Sequence, residues 1–231
     1  MKVTETIRED GLRVISAKTK SKKVYMEFVA GVGSADDPTE KYGLFHFFEH
    51  LAFGGTKSKS RLEISSYLSR YLLSSSAYTN KLVTVYNGNA VLRKFDRLCA
   101  ILLDIYFNSV ISDEYVERER EVILNELAAY HDKDSNKAFE TMYELLWRNN
   151  PIRRWGAGTP ETIQNITLAD LLAAQTKYYV PANTLIIAVG GINHEDLVGK
   201  INSSIPAGEP AEDPPRTWDD EYAATPDQQP K

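Results

Sequence analysis

The chain has 231 residues, 42% hydrophobic and 26% charged, with a formal net charge of −5 and a pI near 5.5. Such a composition belongs to an ordinary globular protein with room for one sizeable core, and without a Lys/Arg cluster it argues against nucleic acid as a partner. The longest apolar run, 98–110, is broken by Asp104, residues 1–5 carry no basic-then-apolar leader, and Cys99 is the only cysteine; these features point away from a membrane and toward a reducing, cytoplasmic location.

Residues 3–8, 12–19 and 23–33 alternate or run apolar with β-branched side chains, and Asp10-Gly11 supplies hairpin chemistry between the first two. Three strands therefore lead into a helix around residues 46–50, which Gly54-Gly55-Thr56 ends. Ser60-Arg61-Leu62-Glu63 is a capping box that opens a helix to about Leu73. Strands follow at 75–79 and 83–91, then a helix from about Lys94 to Val110 in which Cys99 reads as a buried structural thiol. Ser112 caps a long helix reaching beyond Tyr130.

Residues 147–162 are rich in Asn, Pro and Gly and read as a loop. Thr167-Leu168-Ala169-Asp170 is a second capping box, with its helix running to Tyr178, and a strand at 184–189 and a last helix that begins with 195–201 complete the pattern. Six of the ten prolines fall after residue 205 among acids, so 206–231 reads as a linker or tail. The expected fold is a mixed α+β domain over residues 1–205.

His46-Phe47-Phe48-Glu49-His50 is the segment richest in chemistry. On a helix, positions four apart lie one turn above another, so His46 and His50 share a face and Glu49 falls beside them. Two imidazoles with an adjacent carboxylate, in the H-x-x-E-H order, form the layout of a metal-activated water beside a general base. The surrounding Leu44, Phe45, Phe47, Phe48, Leu51, Ala52 and Phe53 imply burial. Buried polar groups without partners cost roughly 1–3 kcal/mol each, and a bound cation is one partner that removes this cost. His131 and His194 are expected to be exposed and to ligate nothing.

A catalytic zinc takes a third protein ligand and keeps one position open. The helix after Ser112 offers Val116, Glu119, Ile123, Glu126 and Tyr130 at three- and four-residue spacing, so Glu119 and Glu126 interrupt what should be a buried stripe. Glu114, Glu117, Arg118 and Glu121 lie elsewhere around the helix, as solvated charges.

The chain resembles the N-terminal catalytic domain of the pitrilysin/insulinase family of zinc peptidases. The resemblance is carried by residues 33–37, by 43–51 around the histidines, by Phe53-Gly54-Gly55-Thr56 and by Ala77-Tyr78-Thr79. It continues through Glu119-Arg120-Glu121-Val122-Ile123-Leu124-Asn125-Glu126 and residues 178–183. It implies a largely antiparallel sheet covered by helices, a metallohydrolase domain of the processing-peptidase type. It implies one Zn2+ per domain, held by His46, His50 and Glu126, the last lying 76 residues beyond His50 at the family's usual separation.

By the same resemblance Glu49 is the general base, Glu119 is an acid orienting a ligand histidine, and a peptide substrate adds as a strand along Ser76, Ala77, Tyr78 and Thr79. Ser76 stands where the family usually has Asn. The family works as two homologous domains around a chamber, so a second homologous domain or subunit, in a hetero- or homodimer, is the implied partner. Two other readings compete with this one. S-ribosylhomocysteine lyases also carry H-x-x-E-H but need a cysteine as a metal ligand and another in catalysis, and Cys99 is alone in an apolar helix. The second is a non-catalytic subunit of a two-chain peptidase complex, whose members typically lose the histidines or the base that this chain keeps.

Overall fold

The computed structural model describes residues 2–147 and 149–208; residues 209–231, most of the expected linker or tail, lie outside them. Six strands form one sheet in the order β1-β2-β6-β3-β5-β4. They are β1 (Lys2–Ile7), β2 (Arg13–Lys18), β3 (Lys23–Ala30), β4 (Ser74–Thr79), β5 (Thr84–Val91) and β6 (Thr184–Gly190). Only the β2–β6 pairing is parallel; the other four are antiparallel, giving the mixed, largely antiparallel sheet that was expected. The turn at Asp10-Gly11 joins β1 to β2, with Gly11 N–H donating to Arg8 C=O at 3.0 Å.

The helices are α1 (Leu44–Leu51), α2 (Arg61–Tyr71), α3 (Phe95–Asn108), α4 (Asp113–His131), α5 (Asp134–Leu146), α6 (Pro160–Asn165), α7 (Leu168–Tyr178) and α8 (His194–Ser204). Both capping boxes start their helices as read, with Ser60 accepting from Glu63 N–H and Thr167 from Asp170 N–H. α3 packs on β3 and β5 and against α8, and α8 on β1 and β2. Cys99 of α3 is buried, and burial pushes its thiol up to about 12, which suits an unreactive structural residue.

The long helix after Ser112 runs past Tyr130 as expected, to His131, and a separate helix that was not expected, α5, follows from Asp134. One expectation needs correction. The stretch read as loop contains the start of α6, where Thr159 caps Thr162 N–H and Pro160 takes the first helical position. His194 also departs from its reading as an exposed side chain. It is half-buried, with Nε2 2.8 Å from Thr6 Oγ1 and Nδ1 2.9 Å from Ser16 Oγ, and so ties α8 to β1 and β2.

What matters most for the site is the seating of α1, which packs against β4, β5, α4 and α7. Phe45, Phe47, Phe48 and Leu51 are at most 1% exposed. Phe48 stacks 4.1 Å from Tyr179, and the Arg120 guanidinium of α4 lies 5.3 Å from the Phe47 ring. The start of α1 is fixed by Asp37, whose carboxylate accepts from Gly43 N–H at 2.7 Å and Phe45 N–H at 3.1 Å. Gly43 sits at φ 91°, and a Cβ there would come 2.5 Å from the Ala157 carbonyl oxygen, so glycine is required for the turn into the helix.

Candidate metal centre

The three polar residues of α1 share its one partly open face, while its other residues are buried. The His46 and His50 rings lie 4.7 Å apart between centroids, at 79° to one another. Across from them, α4 presents two carboxylates. Glu126 places Oε1 4.0 Å from His46 Nε2 and Oε2 3.4 Å from His50 Nε2. Glu119 lies behind, its Oε2 3.5 Å from the other nitrogen of the same ring, His50 Nδ1.

Of the two acids that the periodicity left open, geometry separates the roles. One ligand atom from each of His46, His50 and Glu126 lies within 4.8 Å of the others. A tetrahedral ion with metal–ligand distances of about 2.0–2.2 Å spaces its ligand atoms by about 3.3–3.6 Å, so this triad could hold a zinc-sized cation after small movements. Glu119 faces away from that point, toward the nitrogen that a metal-bound histidine uses for a supporting hydrogen bond. Glu126 is not on a buried face as expected: its side chain is 53% exposed, against 9% for Glu119. The buried line of α4 runs Val116, Glu119, Ile123, Leu127, and Glu126 flanks it where the helix faces the open side of α1.

The electrostatics suit a cation. Burial, with the neighbouring His50 charge second, pushes His46 down to about 4, which leaves it neutral with a free lone pair at neutral pH. The hydrogen bond from His50 holds the Glu126 carboxyl below its usual range, and so ionised. Burial tends to lower His50, but the hydrogen bond to Glu126 and the charges of Glu49 and Glu119 raise it overall. Glu49 is raised, chiefly by burial, which moves it toward the range useful to a base.

Supporting contacts hold α4 in place. Arg120 Nη2 donates to Ile166 C=O at 2.9 Å, tying α4 to the end of α6. The Tyr115 ring lies against Gly54, where a Cβ would come 1.9 Å from its Cε1, and the Tyr115 hydroxyl, pushed up to about 12 by burial and by Glu119, bonds that carboxylate.

Beside the triad opens a cavity of about 400 Å³, lined by His46 and Glu126 on one side and Lys81, Tyr130, Tyr143 and Trp155 on the other. Tyr130 and Trp155 stack at 3.8 Å, and Lys81 Nζ lies 5.1 Å from the Tyr143 ring centre. Ser34 Oγ, His46 Nδ1 and Trp155 Nε1, all on residues of its wall, are buried without hydrogen-bond partners. A larger groove of about 760 Å³ between α3 and α8 contains none of these residues.

Ser76, Ala77, Tyr78 and Thr79 lie on β4, at one end of the sheet order. Asn80 N–H donates to Val83 C=O, and from that pair the antiparallel alternation turns the N–H groups of Ala77 and Thr79 to the open edge. Ser76 and Tyr78 are exposed. Thr79 instead turns its hydroxyl to Glu49 Oε2 at 2.9 Å. The aromatic cavity and this contact were missed by the sequence reading. Trp155 lay in a segment read as loop, and the Thr79–Glu49 contact joins a strand and a helix 30 residues apart.

Comparison with known proteins bears on the same residues. The profile described as Insulinase (Peptidase family M16) matches residues 13–159. The β subunit of the mitochondrial-processing peptidase from Homo sapiens is 31% identical over 193 residues, 84% of this chain and 40% of that protein. A protein named uncharacterized zinc protease from Rickettsia felis is 28% identical over 189 residues, covering 80% of this chain and 46% of its own. A protease from Helicobacter pylori has the same fold, with a TM-score of 0.86 at 22% identity over 91% of this chain and 51% of that one. The chain thus spans less than half the length of these curated relatives. The residues matched by the family profile include α1 with its H-x-x-E-H face and all of α4, and the chain belongs to the insulinase family, peptidase family M16.

Proposed function

We propose that this chain is the metal-binding catalytic domain of a zinc endopeptidase that hydrolyses peptides or unfolded polypeptides. The observation that carries the reading is the convergence of His46, His50 and Glu126 within 4.8 Å, with Glu49 on the same face of α1. The donor set fits zinc: two imidazoles, one of them neutral by burial, and an ionised carboxylate whose oxygens lie 4.0 and 3.4 Å from the histidine nitrogens, close enough for small movements to bring all three to one ion. A zinc ion bound there supplies a Lewis acid and lowers the pKa of a coordinated water toward ~7.

The chain's own residues do the rest. Glu49 takes the proton from the attacking water and returns it to the departing amine, a double duty suited to its raised pKa. Glu119, with Oε2 3.5 Å from His50 Nδ1, would accept from Nδ1–H and so leave Nε2 free for the metal. The substrate adds as a strand on the free side of β4, pairing with the outward N–H and C=O of Ala77, while Ser76 and Tyr78 offer side-chain contacts. Thr79 turns both its hydroxyl and its N–H to Glu49, which leaves only its C=O for that edge. The aromatic cavity beside His46 receives one substrate side chain.

A second homologous domain or subunit closes the chamber; the length of the relatives and the name of one of them, a β subunit, support this. No helix among the described residues is long and apolar enough to cross a membrane. The single cysteine is a buried free thiol, which suits a reducing compartment, and on that ground we propose the cytoplasm.

The test is cleavage of an internally quenched peptide by the full-length protein. Cleavage lost in a chelator and restored by one equivalent of zinc supports the reading. Cleavage that persists in the chelator overturns it. One zinc bound per domain without cleavage supports a non-catalytic subunit instead.

A further inference from the structure

We infer that Thr79 is a positioning residue for Glu49, so that the sheet edge proposed to receive the peptide also fixes the base. The inference rests on the peptidase reading above and adds a residue role to it. A glutamate has three rotatable bonds, and ordering such a side chain costs rotamer entropy. Something must hold the carboxylate, because a displacement of about 1 Å in a reacting group is enough to cost on the order of 100-fold in rate. Thr79 is the residue that supplies hydrogen-bond donors to Glu49 among the described contacts. Its hydroxyl lies 2.9 Å from Oε2, and its backbone N–H, which the alternation turns away from β5, bonds the same carboxylate.

The geometry also shows which partner the hydroxyl serves. Thr79 Oγ1 is 3.4 Å from Phe45 C=O and 3.4 Å from Thr84 Oγ1, both longer than its contact to Glu49. Thr84 is fully buried and donates its own proton to Val32 C=O at 3.0 Å, so its oxygen is held in place behind Thr79. The β-branched side chain of Thr79 has few χ1 options on a strand, and the pairing Thr79↔Thr84 fixes its backbone. With the Thr84 proton given to Val32 C=O, the Thr79 hydroxyl is left to donate to the Glu49 carboxylate, with the buried Thr84 oxygen behind it.

The consequence is specific to where Thr79 sits. It is the last residue of β4, two positions beyond Ala77, whose N–H and C=O face the open edge. A peptide pairing at Ala77 lies on the same strand that clamps the base, so the register of the substrate and the position of Glu49 are set by one element. Thr79→Val keeps the shape and removes the hydroxyl donor; Thr79→Ser keeps the donor and loses a methyl.

Two measurements on the full-length protein test this. For hydrolysis of a quenched peptide, Thr79→Val should lower kcat by about 10- to 100-fold with KM within twofold and zinc stoichiometry unchanged, whereas Thr79→Ser should recover kcat to within about threefold. In the crystal structure of zinc-loaded Thr79→Val, the Glu49 carboxylate should be displaced or spread over several rotamers. A wild-type kcat in Thr79→Val, or a Glu49 carboxylate unmoved in its structure, would overturn the inference. An equal loss in the Ser and Val variants would do the same, since it would mark the methyl and not the hydroxyl as the working group. Were the wild-type protein itself to cleave nothing, the peptidase reading would fall, and the crystallographic comparison would still decide the role of Thr79.

Discussion

Exchanging each acid of α4 for its amide separates a metal ligand from a residue that supports one. Glu126 reaches the Nε2 atoms of both histidines, at 4.0 and 3.4 Å, whereas Glu119 reaches only His50 Nδ1, at 3.5 Å. Structural zinc sites with four protein ligands bind with about 10–16 kcal/mol, or roughly 2.5–4 per ligand, so Glu126→Gln should weaken zinc binding on the order of 100- to 1,000-fold. Part of that loss is returned, because Glu126 raises the pKa of His50 and its removal eases competition from protons. Glu119→Gln keeps an amide oxygen that accepts from Nδ1–H, so its cost should sit near the lower end of the 10- to 100-fold typical of supporting residues. Competition titration against a coloured chelator at pH 7.5 measures both, with far-ultraviolet circular dichroism to show that each variant folds. Wild-type affinity in Glu126→Gln, or a larger loss in Glu119→Gln than in Glu126→Gln, would refute the division of roles.

Two further outcomes follow from the charges and from the sheet edge. Zinc needs neutral imidazoles. His46 stays neutral down to about pH 4, while His50 is raised, so across the mildly acidic range one proton, that of His50, is displaced per zinc bound. The logarithm of zinc affinity should rise with slope one as pH increases, level off once His50 is neutral, and steepen toward two only near pH 4; a slope of two between pH 5 and 7 would contradict the assignment. Ala77→Pro removes an N–H that faces the open edge, a place where a sheet tolerates proline, so the fold should persist. Its KM for a peptide should rise about five- to tenfold, the worth of one hydrogen bond of about 1 kcal/mol, with kcat little changed; an unchanged KM would remove Ala77 from the substrate path.

Local signals made much of the architecture legible. The strand pattern before α1, the turn at Asp10-Gly11 and the boxes at Ser60–Glu63 and Thr167–Asp170 all rest on interactions a few residues long, and they stand as read. α5 was not legible because none of its residues is buried and no side chain caps its start, so it lacks the marks by which a core-facing helix is recognised. The start of α6 escaped for a related reason: Thr159 is answered by Thr162 and not by an acid, which leaves only Pro160 as a cue in a stretch rich in breakers.

At the site, the face shared by His46, Glu49 and His50 follows from helical spacing alone. The exposure of Glu126 does not, since a periodic stripe shows which residues align but not which of them borders an opening. Which way Thr79 turns depends on the β4–β5 register and on where α1 lies over it, a long-range relation that neither segment encodes by itself.

The central claim is that Glu49 is the base beside a metal held by its neighbours. Glu49→Gln in the full-length protein, measured for zinc content and for cleavage of a quenched peptide in one preparation, tests it most directly. The account predicts one zinc per domain, as in the wild type, with cleavage reduced at least about 100-fold, the contribution of a general base. Cleavage retained at the wild-type rate with zinc still bound would contradict it.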